Sequence, residues 1–106
     1  MLDKNLIIAI NSPKMRNALN NYQKELITKI RSADSNEEVK RFCNIAVHEL
    51  EGQQLPGHLI VRFLEKTISE LAGFNPMLQD SRQWNNIITA KVLCNRLLQQ
   101  YSFSHE

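Results

Sequence analysis

The sequence predicts an all-α protein: an antiparallel four-helix bundle with helices over about 13–31, 36–51, 56–72 and 81–101, and a short N-terminal segment. Three observations predict it. Apolar residues recur every three or four positions through four long stretches, which is the period of an α-helix with one buried face. The stretches are separated by short runs carrying helix start and stop signals. Only 3 glycines and 3 prolines occur in 106 residues, too few turn formers for an all-β chain.

Residues 1–11, MLDKNLIIAIN, admit two readings. Asp3 can cap two helical turns, yet Leu6-Ile7-Ile8-Ala9-Ile10 is β-branched enough for a short strand. A helix is the preferred reading, because a strand has no other strand in this chain to pair with.

Ser12 and Pro13 then mark a start, the first as cap and the second as first helical residue. Met15, Leu19, Tyr22, Leu26 and Ile30 follow on one face, with Ala18 beside them. The opposite face carries Arg16, Lys24 and Arg31, flanked by Lys14 and Lys29 and opposed by Glu25. Ser35-Asn36-Glu37-Glu38 is a capping box for the second helix, whose stripe is Val39, Phe42, Cys43, Ala46, Val47 and Leu50, closed by Gly52.

Residues 55–73 are the stretch around which the chain is expected to organise. From Leu59 to Ala72 the apolar residues fill an arc of roughly 220°, about twice that of an ordinary surface helix. Such a helix needs neighbours on at least two sides, and Ile60, Phe63, Leu64, Thr67 and Leu71 should be sealed. Pro56 suits a first-turn position and Gly73 the residue past the end. The loop after it holds Phe74, Met77 and Leu78, three large apolar residues expected to fold back over the core. Asp80 with Gln83 offers a second capping box. The last helix has a core stripe of Ile87, Ala90, Cys94, Leu97, Leu98 and Tyr101, and residues 102–106 read as a frayed tail.

Length indicates one domain over residues 1–106. The 13 basic and 11 acidic residues are spread evenly, 8 against 7 in residues 1–54 and 5 against 4 in residues 55–106, so the clustered excess of a strong nucleic-acid footprint is missing. The run Leu6–Ile10 is too short for a signal peptide and lacks its basic flank and cleavage site, so the chain reads as cytoplasmic. No stretch is long and apolar enough to span a membrane. The 11 asparagines suit an AT-rich microbial genome.

The chemistry-bearing residues form no catalytic or metal pattern. His48-Glu49 begins like a zinc-protease motif, but position 52 is glycine where the second histidine belongs. His48, His58 and His105 are scattered, and Cys43 and Cys94 lie in the middle of apolar stripes. They read as buried reduced thiols, or as a disulfide between facing helices. No glycine-rich phosphate loop occurs, and no cofactor or metal is expected.

The plan, a cytoplasmic helical bundle of about a hundred residues with a loose tail, is similar to that of small bacteriocin-immunity proteins and of many helical adaptors. The resemblance is one of architecture alone, and architecture does not fix function. Surplus apolar surface on a chain with no catalytic set gives the expected function, a protein-interaction module without catalytic activity: an adaptor, regulator or immunity-type inhibitor that binds another protein or a second copy of itself. The alternative is a nucleic-acid-binding regulator using the basic face of residues 14–31.

The expected partner surface is a second strip on the last helix. Trp84, Ile88 and Val92 lie roughly 60–120° round from the core stripe, with Lys91 and Asn95 among them. A dry core tolerates such polar neighbours badly, whereas an interface welcomes an apolar strip with a polar edge and a tryptophan anchor. The competing reading packs Leu6–Ile10 onto this strip within the chain.

Overall fold

The computed structural model describes the backbone of residues 13–104 and the side chains of residues 16–101. The N-terminal segment 1–11, the cap expected at Ser12 and the side chain of Met15 lie outside what is described. Four α-helices make up the bundle: α1 (Pro13–Ser32), α2 (Asn36–Gly52), α3 (Gly57–Ala72) and α4 (Ser81–Ser104), with a 3-10 turn at Pro76–Leu78 before α4. The last helix continues to Ser104, past the end expected near Tyr101.

Local chemistry explains the boundaries. Ser35 is extended (φ −154, ψ 163) and its hydroxyl accepts from the Glu38 N–H at 3.2 Å. Asp80 and Gln83 cap α4 reciprocally: the Gln83 N–H donates to Asp80 Oδ1 at 2.7 Å and the Asp80 N–H to Gln83 Oε1 at 3.1 Å. Pro56 is the cap of α3 rather than its first residue, and its carbonyl accepts from Leu59 and Ile60. Nor does Gly52 close α2. It is the last helical residue, and the left-handed turn falls on Gln54 at φ 60. That turn lets the Leu55 N–H reach the Leu50 carbonyl at 3.4 Å and seats Leu55, 8 % exposed, in the core.

Contacts between helices fix their directions. Lys29 lies toward Phe42 along the α1–α2 seam while the Tyr22 hydroxyl donates to Glu49, so α1 and α2 are antiparallel. Arg16 and Leu19 face Leu59 and Arg62, while Lys24 and Ile27 face Ser69 and Glu70, so α1 and α3 are parallel. Thr89 donates to Asn36, and Tyr101 meets Glu51, so α2 and α4 are parallel too. The bundle is therefore up-down-up-down, but unevenly packed. The last helix, not the 55–73 stretch, is the organising element: α4 lies along all three others, while α2 and α3 barely touch.

The five residues expected to be sealed in α3 are so: Ile60, Phe63, Leu64, Thr67 and Leu71 are all buried. Thr67 keeps its hydroxyl satisfied on the Phe63 carbonyl at 2.8 Å. Ile30, Val39 and Ile87 complete the centre of the core. Asn86, an unexpected core residue, is 1 % exposed and donates to the Ala33 carbonyl at 2.9 Å, closing the α1–α2 turn onto α4. Two expectations fail. Ala18 is exposed, and of the loop's apolar residues only Phe74 packs on the core. Met77 and Leu78 are 87 % and 77 % exposed, because the Asn75 cap and the 3-10 turn aim them outward. No described helix is long and apolar enough to cross a membrane.

Candidate interaction surface

On α4 the core stripe is Ile87, Ala90 and Cys94, all buried, continued by the partly buried Leu97, Leu98 and Tyr101. Ile88 and Val92 lie about 100° and 140° around the helix from Ile87, one turn apart. They are 43 % and 50 % exposed, high for β-branched residues in a helix this closely surrounded. Trp84, one turn earlier, is half-buried against the core. Lys91 is half-buried, and Asn95 is exposed with its amide turned back onto the Lys91 carbonyl at 3.1 Å. The fold thus brings together all five residues of the expected strip: a half-sunk indole, two exposed aliphatic side chains, and a polar edge. Met77 and Leu78 stand exposed just before the N-terminus of the same helix.

The basic face of α1 is less uniform than the sequence suggests. Arg16 and Lys24 are exposed. Arg31 is tied to the loop before α4: Nε and Nη2 donate to Gln79 Oε1 at 3.2 and 3.0 Å, and its guanidinium lies 4.8 Å from the centre of the Phe74 ring. Between α1 and α3 lies a groove of about 590 Å³, which sequence reading did not single out. Its signal was present as two matched ridges, Arg16, Leu19, Asn20 and Gln23 against Leu59, Arg62, Phe63 and Lys66, each at helical spacing.

Titratable groups serve as ties between helices. The Tyr22 hydroxyl donates to Glu49, and burial, then that bond, push its pKa well above the usual phenol range. Burial and the Glu51 carboxylate raise Tyr101 to about 12. Cys43 and Cys94 face each other between α2 and α4 as free thiols. The hydrogen bond to Cys94 and burial push the Cys43 thiol up, and both thiols are sealed from solvent. His48 and His58 are exposed. Among the described residues no three His, Cys, Asp or Glu side chains gather as a metal ion requires.

No family model matches the chain, and no curated protein and no solved structure matches it.

Proposed function

We propose that the protein is a non-catalytic protein-interaction module, of the adaptor, regulator or inhibitor kind, that docks a partner protein or a second copy of itself on the α4 strip. One observation carries this: Ile88 and Val92 are exposed, one turn apart, beside a half-buried Trp84, on the helix that holds the bundle together. Water contact with two aliphatic side chains disfavours the free state, and covering them returns about 25 cal/mol for each Å² removed from water. Trp84 supplies the broad anchor on which such contacts concentrate. Lys91 and Asn95 supply an edge that fixes register rather than affinity.

The test is the full-length double variant Ile88→Glu with Val92→Glu, compared with wild type by sedimentation and by capture from host extract. The expected result is an unchanged helical spectrum with self-association or partner capture weakened at least tenfold. Equal association by the variant would move the interface elsewhere on the molecule.

A further inference from the structure

The groove between α1 and α3 lies on a different pair of helices from the strip. It exists because the parallel helices α1 and α3 pack less closely than either does with α4. Its floor is apolar: Leu19 and Leu59 are half-buried there, and Phe63 is buried, 5.9 Å from the Tyr22 ring. Its rim is cationic. Arg16, Arg62 and Lys66 are exposed along it, and none of the described lining residues of this section carries a carboxylate. Among the described residues Lys66 donates only to the Asn20 amide oxygen, at 3.3 Å. The groove continues along α1 past Lys24 and Ile27, where Glu70 is the single acid among the described lining residues. From Arg16 to Ile27 it runs about 16 Å, the length of three helical turns.

A second feature points to an occupant. Gln23 sits in the middle of this lining, 7 % exposed, and its amide nitrogen, sealed from solvent, has no hydrogen-bond partner among the described residues. A buried donor left unpaired is disfavoured, and an acceptor entering the groove relieves it once the Gln23 amide turns outward to meet it. Apolar floor, cationic rim and orphaned donor together describe the complement of one thing: an apolar stripe flanked by carboxylates.

We infer that the α1–α3 groove is a docking site for a short acidic amphipathic helix of a partner protein. Apolar side chains of that helix lie over Leu19, Leu59 and Phe63. Its carboxylates meet Arg16, Arg62 and Lys66, and one acceptor reaches the Gln23 amide. Recognition of this kind reads anchors at helical spacing in a hydrophobic groove. The inference stands apart from the strip on α4, and each has its own variants.

The probe is a fluorescent twelve-residue peptide of leucine, alanine and glutamate, with leucines on one face and glutamates flanking them, titrated into the full-length protein. Expected results are saturable binding and NMR shift changes at the Gln23 side-chain amide and at Leu59 and Phe63. Arg62→Glu with Lys66→Glu should weaken binding at least tenfold, and so should glutamine in place of the peptide's glutamates. Both protein positions are exposed, so the fold should survive. Gln23→Met gives a second reading: it should leave the fold as stable or more stable, because it removes an unpaired donor, while weakening the peptide. A peptide that ignores charge reversal, shifts confined to other helices, a fold destabilised by Gln23→Met, or duplex DNA competing at the same residues with higher affinity would each overturn the inference.

Discussion

Asn86 and Gln23 are both buried amides, yet they sit differently. Asn86 closes the α1–α2 turn by donating to the Ala33 carbonyl, so truncating it orphans a buried acceptor. Asn86→Ala should cost about 1–3 kcal/mol in urea unfolding, whereas an exposed neighbour such as Asn85→Ala should stay within about 0.5 kcal/mol. Neither buried amide was legible in the sequence, since polarity at a helix flank reads as solvent and only the facing carbonyl reveals otherwise. Aliphatic burial was legible. Leu64, 1 % exposed, belongs to the widest apolar arc in the chain, and Leu64→Ala should cost about 2–5 kcal/mol. The two thiols are 2 % and 1 % exposed, so a thiol reagent should label neither in native protein and both after unfolding. Rapid native labelling would contradict the packing of α2 against α4.

Elements were read most accurately where a side chain caps a backbone. Ser35 and the Asp80–Gln83 pair sit at their helix starts as the spacing implies, because such caps are local chemistry. Ser35→Ala should cost about 1 kcal/mol, read as a lower unfolding midpoint. Helix ends and loops were read less well. Gly52 was expected to close α2, yet it is still helical and the left-handed residue is Gln54, whose turn carries Leu55 into the core. Met77 and Leu78 face water because the Asn75 cap and the 3-10 turn, not their hydrophobicity, set their direction. The tyrosine ties between helices have a pH signature. Tyr22 and Tyr101 titrate higher folded than unfolded, so the unfolded chain loses these protons first. Their contribution to stability is therefore complete below about pH 10 and declines as pH rises through the folded values. Phenolate absorbance should show neither tyrosine ionised at pH 10 in native protein and both about half ionised in urea. Equal titration in the two states would remove the ties.

At the scale of the whole molecule, the helix count and the all-α class followed from period and punctuation, while the arrangement did not. The arc of α3 suggested a central helix, yet α4 holds that position, because α3 turns part of its arc to the open groove beside α1 rather than to α2. The strip on α4 was legible as residues in surplus to one core stripe; of the groove only the two separate ridges were, since nothing in the sequence says that those helices lie side by side. The proposed function requires Ile88 and Val92 to form a free docking face rather than part of the chain's own packing. The most direct test is the unfolding free energy of full-length Ile88→Glu with Val92→Glu against wild type, measured at low micromolar concentration. A free face predicts a loss within about 1 kcal/mol, the sum of two ordinary surface changes. A loss of several kcal/mol, the mark of charge forced into a packed contact, would contradict the account.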